Sequence, residues 1–125
     1  MTLDAGPLIA AARNDRQLWS LHRLRLHRGI RWSIPTPALA QAWRGSHSAR
    51  LSQLLHTCEL VEMDERIAKL TGELCASTGT SDVVDAAVVV SARLSGEDVL
   101  TTDPEDLKVL AGHIGHVRII ALRRL

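Results

Sequence analysis

The 125-residue chain has no phenylalanine, no tyrosine and only three tryptophans. That argues against a platform on which single-stranded bases stack, and it leaves the core to aliphatic side chains. Leu, Val, Ile and Ala supply most of the 46% hydrophobic content, too much for a disordered chain. Cysteine is scarce. Cys58 and Cys75 lack any CxxC pairing, which argues against a zinc ribbon and for reduced, buried thiols. No apolar run approaches the roughly 18 residues of a membrane span. The one early apolar stretch, Ala5–Ala12, follows an aspartate and lacks a basic leader. The expectation is a soluble, cytoplasmic protein with no membrane contact, folded as one domain over residues 1–125. There is also no GxGxxG after a strand and no GxxxxGK[ST], so the common nucleotide-binding motifs are excluded.

Charge is balanced in sum but not in distribution. The net charge is +1, yet residues 1–50 carry eight arginines against Asp4 and Asp15, while residues 51–106 carry twelve acidic and three basic residues. Basic ends around an acidic middle suit a phosphate-binding rim about a cation site, and equally suit ordinary solvated helix faces. Arginine outnumbers lysine thirteen to two, a bias that favours bidentate phosphate contacts but also arises from genome composition.

Hydrophobic periodicity and end signals divide the chain into short strands and helices. Strands are predicted at Thr2–Asp4, Ile30–Ile34, Glu59–Met63, Asp98–Thr102 and Val117–Leu122. A first helix is expected to start at Pro7, a second to run from Arg16 to about His27, ended by Gly29. A third is predicted with Thr36 as N-cap and Pro37 as first residue, carrying Gln41 and Arg44 on one face and stopping at Gly45. Further helices are expected from about Ser48 to Thr57, from Asp64 to Gly79, from Ser81 or Asp82 to Leu94, and from Asp103 to Gly112. The helix through Ala86–Ala92 is almost wholly apolar and so should be buried. Alternation of this kind gives an α/β fold with a parallel sheet covered on both faces, and such folds bind ligands beyond the carboxyl ends of their strands.

Four aspartates fit that location. Asp4 and Asp103 stand at strand ends, and Asp82 and Asp85 lie three apart at the start of the buried helix. Carboxylates that converge repel one another unless a cation neutralises them, and an oxygen-only donor set favours Mg²⁺ or Mn²⁺. Helix capping is the competing explanation for Asp4, Asp82 and Asp103. It explains Asp85 poorly, since that residue lies inside the helix beside an apolar run.

The segments LDAGPLIA (3–10), PTPALAQAWRG (35–45), SDVVDAAVVVSA (81–92) and VLTTDPEDL (99–107) together resemble the PIN-domain proteins, most of all the VapC-type toxins of bacterial toxin–antitoxin pairs. The resemblance runs over about the whole chain, in order. It implies a three-layer α/β/α sandwich with a short, mostly parallel sheet, and a Mg²⁺- or Mn²⁺-dependent ribonuclease blocked by a VapB-type antitoxin. Asp4, Asp85 and Asp103 match the family's metal-site aspartates, and Asp82 is an extra carboxylate one turn earlier. Gln41 stands where the family has glutamate. It keeps a carbonyl oxygen, loses a negative charge and cannot act as a base. The departure is consistent both with a naturally degenerate copy and with a chain altered to silence a toxic nuclease.

The resemblance further implies Asp4, Gln41, Asp82, Asp85 and Asp103 as the catalytic set, with Arg44 as a residue for a substrate phosphate or an antitoxin carboxylate. It implies an RNA substrate, a homodimer, and an antitoxin segment that lies over the acidic cleft and offers Arg or Lys. The Leu18–Leu26 helix is a candidate contact surface, and Arg23, Arg25, Arg28 and Arg31 are candidates for an RNA groove. The six histidines show no metal-ligand spacing and are expected on the surface or in loops. Trp19, Trp32 and Trp43 are expected in the core or an interface. The alternative to an enzyme is an inactive PIN-like module that binds RNA or antitoxin without cutting. A receiver-like domain is disfavoured, because only Asp4 follows the first strand and no lysine lies near the last.

Overall fold

A computed structural model describes residues 1–122, the side chain of His47 excepted. The elements run β1 (Thr2–Leu3), α1 (Ala5–Ala12), α2 (Arg16–His27), β2 (Ser33–Pro35), α3 (Thr36–Ala42), a 3₁₀ turn (Gly45–His47), α4 (Ala49–Leu55), β3 (Glu59–Val61), α5 (Glu65–Thr78), α6 (Val83–Ser95), β4 (Val99–Thr101), α7 (Pro104–Ile114) and β5 (Ile119–Ala121). All strand pairs are parallel, in the order β3-β2-β1-β4-β5. Helix α1 packs on β1 and β4 beside α2, α3 and α4, while α6 packs on β1, β2 and β4 beside α5 and α7. This is the expected α/β/α sandwich.

The core is aliphatic. Leu3, Leu8, Leu18, Ile34, Leu51, Leu54, Leu100, Leu107 and Val88–Val90 are fully buried, with Trp32 as the one large aromatic among them. Every residue of α6 from Ala86 to Ala92 is buried, because this helix touches three strands and three helices, α3, α5 and α7. No helix of the described residues is long and apolar enough to cross a membrane.

Two caps follow directly from the local sequence. Asp15 accepts the Leu18 N–H at 3.0 Å and Asp64 accepts the Ile67 N–H at 2.8 Å, so each satisfies an orphan donor at a helix start. Other boundaries move. Helix α1 begins at Ala5, because Pro7 falls within the first turn, where its missing N–H has no partner to lose. Thr36 lies inside α3, and its hydroxyl accepts the Met63 N–H at 3.4 Å rather than capping. Helix α3 ends at Ala42, so Arg44 lies beyond the helix rather than one turn along its face. Helix α7 continues through Gly112 and stops at Gly115.

One glycine matters for the site. A Cβ on Gly6 would overlap the Thr102 hydroxyl, so only glycine lets the start of α1 close onto the end of β4.

The histidine expectation fails at one position. His22 is buried, with its ring edge-on to Trp19 and Trp32 at centroid distances of 5.7 and 5.1 Å. Its Nε2 lies 2.9 Å from Thr57 Oγ1, whose own hydrogen goes to the Leu54 carbonyl, so Nε2 is the donor. Burial pushes its pKa below the ordinary value. No local signal separated His22 from the solvent-facing His27; the packing of α2 did. The side chain of His47 lies outside what is described. Trp32 is core, Trp19 is half-buried with its indole N–H on the Ala11 carbonyl, and Trp43 is 40% exposed. Both cysteines are free thiols; Cys58 is buried, while Cys75 is only partly so.

Candidate active site

The site lies where the strand order reverses. From β1 the chain moves outward to β2 and β3, then returns to place β4 on the other side of β1. The loops leaving β1 and β4 therefore part, and they open the crevice in which open α/β sheets bind ligands. Leu3 is in register with Leu100, so Asp4 emerges beside Thr101, and Asp103 follows two residues on.

Asp4 is 7% exposed and Thr101 is fully buried. The Thr101 hydroxyl donates to Asp4 Oδ2 at 2.8 Å and accepts the Asp103 backbone N–H at 3.0 Å. One side chain thus holds both strand-end acids. Neither Asp4 nor Asp103 uses its carboxylate to cap the helix that follows, so capping does not account for them. It does account for Asp82, whose Oδ1 accepts the Asp85 N–H at 3.0 Å.

These acids share one field. Burial raises the pKa of Asp4; the hydrogen bond from Thr101 and the Ala5 N–H work against this, while the charges of Asp82 and Asp103 push further upward. Burial, followed by the charges of Asp4 and Asp82, pushes Asp85 up to about 7, and Asp106 adds to the same effect. No described lysine, arginine or histidine forms an ion pair with any of these five aspartates.

Asp106 was not singled out by sequence, where it reads as an ordinary acid in the first turn of α7. The fold carries it to the rim of a cavity of about 240 Å³ that Asp82, Asp85 and Thr80 also line. Gln41 is exposed and lines a different cavity of about 340 Å³, with Ile9, Ala12, Arg13, Ala42 and Arg44. No hydrogen bond among the described residues joins Gln41 to the four aspartates. Sequence placed Gln41 and Arg44 together, and the cavity does so; Arg13 joins them through the packing of α1 on α3, which nothing local announces.

Among the described residues, no three carboxylate, imidazole or thiol side chains stand close enough to form a ready metal cage. The donor chemistry nonetheless suits a hard cation. The groups are oxygen-only and mutually repelling, and Mg²⁺ commonly takes just one or two protein carboxylates and keeps its waters. One or two of Asp4, Asp85 and Asp103 supply the donor chemistry for that mode of binding.

The PIN domain family model matches residues 1–112, and the chain belongs to the PIN domain family, a family of nucleases. Three solved structures share the fold. A toxin–antitoxin complex from Klebsiella pneumoniae matches with a TM-score of 0.73 at 15% identity, over 99% of this chain and 98% of that one. VapBC2 from Rickettsia felis, bound to a DNA fragment from their promoter, matches with a TM-score of 0.76 at 13% identity, over 98% of both chains. PAE2754 from Pyrobaculum aerophilum matches with a TM-score of 0.59 at 18% identity, over 94% of this chain and 87% of that one. No curated protein matches the chain in sequence.

Proposed function

We propose that this chain is the toxin of a VapBC-type pair: a Mg²⁺- or Mn²⁺-dependent endoribonuclease that is held in check by a protein antitoxin. The observation that carries the reading is the group of aspartates at the β1–β4 switch point of a PIN fold, with no cationic side chain among the described residues paired to them. Two of the structural neighbours are described as toxin–antitoxin assemblies, which supports a protein partner. The exposed apolar residues Leu24, Leu26 and Ile30 at the end of α2 suit contact with an antitoxin or a second copy of the chain.

In this reading Asp4, Asp85 and Asp103 hold the cation, and Asp82 fixes the first turn of α6 from which Asp85 projects. When bound, such an ion supplies charge stabilisation at the phosphoryl oxygens and lowers the pKa of a water. Thr101 orients Asp4 toward the cleft, and Arg44 holds a substrate phosphate. Gln41 offers a carbonyl oxygen but no charge, so it is a weaker contributor than the family glutamate. That same residue favours a second reading, a module that binds RNA or antitoxin without cutting it.

The experiment compares this chain, Gln41→Glu and Asp85→Asn on total RNA with Mg²⁺, Mn²⁺ or EDTA. Discrete cleavage by this chain or by Gln41→Glu, lost in EDTA and in Asp85→Asn, supports the nuclease. Loss of one such group should lower the rate on the order of 10²–10³. Inertness of both at high protein with either metal overturns the nuclease and leaves the binding module.

A further inference from the structure

The cavity between α1 and α3 is lined by no carboxylate, imidazole or thiol, and its charge is of the wrong sign for a cation. Arg13 closes the end of α1, its N–H on the Ile9 carbonyl at 3.0 Å. Arg44 follows α3, its backbone N–H held by Ser48 Oγ at 2.9 Å and its guanidinium by the Trp43 carbonyl at 2.7 Å. Among the described residues neither arginine makes an ion pair. Gln41 lines the same cavity, together with the apolar Ile9, Ala12 and Ala42.

The charge balance decides what this cavity takes. Two helices end here, and each C-terminus carries about half a negative charge. Two full guanidinium charges outweigh them and leave the cavity positive. A glutamate at position 41 would bring the sum to about zero. Glutamine keeps the sum positive and adds an amide N–H that donates to an anion.

We propose that Arg13, Gln41 and Arg44 form a subsite for a backbone phosphate of single-stranded RNA, in a cavity separate from the one that Asp82, Asp85 and Asp106 line. Gln41 is then a substrate-binding residue in its own right, not a failed metal ligand. The volume, about 340 Å³, lies at the lower end of the roughly 300–1,000 Å³ range of small-ligand sites, and the apolar part of the lining suits the face of a ribose. The inference rests on the nucleic-acid reading above and adds to it the position and chemistry of one contact.

The test uses the full chain and a fluorescein-labelled 2′-O-methyl oligoribonucleotide, which cannot be cleaved through a 2′-hydroxyl. Anisotropy is followed in EDTA over a series of salt concentrations. Arg13→Ala and Arg44→Ala should each weaken binding and reduce the slope of log affinity on log salt by about 0.7, the value for one lost single-strand phosphate contact. Gln41→Glu should weaken binding in EDTA too, where a metal ligand would have no effect. Arg93→Ala, on the exposed side of α6, should leave the affinity unchanged. Thermal melts establish that each variant is folded.

If this chain binds the oligonucleotide and all three cavity variants bind equally well with the same slope, the subsite is overturned, and cleavage by the metal-loaded chain still stands as support for the nuclease. If this chain neither binds nor cuts RNA under any condition, the nucleic-acid reading fails and the subsite fails with it.

Discussion

Thr101 donates to Asp4 Oδ2 at 2.8 Å across neighbouring parallel strands, and its oxygen at the same time accepts the Asp103 N–H. A hydroxyl on a fully buried strand thus sets the position of two acids 99 residues apart in sequence. Valine has the same shape and neither function. Thr101→Val should cost about 1–3 kcal/mol by leaving Asp4 and the Asp103 N–H short of a partner, read by urea unfolding. It should also depress cleavage, while Thr101→Ser restores most of it.

Asp85 makes stability depend on pH. Its pKa of about 7 means that, between about pH 4 and 7, the folded chain keeps a proton that the unfolded chain has lost. Stability therefore falls as pH rises through that window. Asp85→Asn removes the penalty. It should melt higher than the parent at about pH 8, by on the order of 1 kcal/mol once solvent screening of this partly exposed group is allowed for. The difference should vanish near pH 4. Added Mg²⁺ should raise the melting temperature of the parent at about pH 8 and affect Asp85→Asn less.

His22 acts in the opposite direction. Burial between two indoles lowers its pKa, so the unfolded chain binds a proton below about pH 6.5 that the folded chain resists. Stability is lost as pH falls through that value. His22→Gln keeps an N–H donor for Thr57 without a titrating ring. Its melting temperature should decline less than the parent's between about pH 7 and 5, whatever its absolute value.

Gly6 is a packing requirement at the site's edge. Gly6→Ala would force the start of α1 away from Thr102, and overpacking of this kind costs about 1–3 kcal/mol. Urea unfolding should show a lower midpoint with an unchanged slope. Because Asp4 precedes α1 directly, cleavage should fall more than the lost stability alone explains. A larger residue at exposed Gly72, which meets nothing within 4 Å, serves as the control.

Much of the architecture was legible without coordinates. Asp15, Asp64 and Asp82 each cap a helix through a residue three positions on, a strictly local interaction. The apolar run of α6 reads as a buried helix because no face of it is polar. The starts of β1 and β3 fall where the pattern puts them, and the other strand ends differ by one to three residues, since only the pairing partner decides where a ladder stops. Arg44 falls outside α3, because the backbone becomes extended at Trp43 (φ −72°, ψ 131°) and no glycine announces that end.

Local residue pattern accounts for the succession of short strands and helices, the aliphatic character of the core, and the positions of Asp4 and Asp103 at strand ends. Those properties depend on residues within a few positions of each other. Only folding places β4 beside β1, joins their two acids through Thr101, brings Asp106 to the cavity that Asp85 lines, turns His22 inward, and puts Arg13 in one cavity with Gln41 and Arg44. Each of these is a meeting of residues distant along the chain. Strand order and helix packing bring such residues together by burying apolar faces, and a local pattern shows that a face must be buried without showing what it will be buried against.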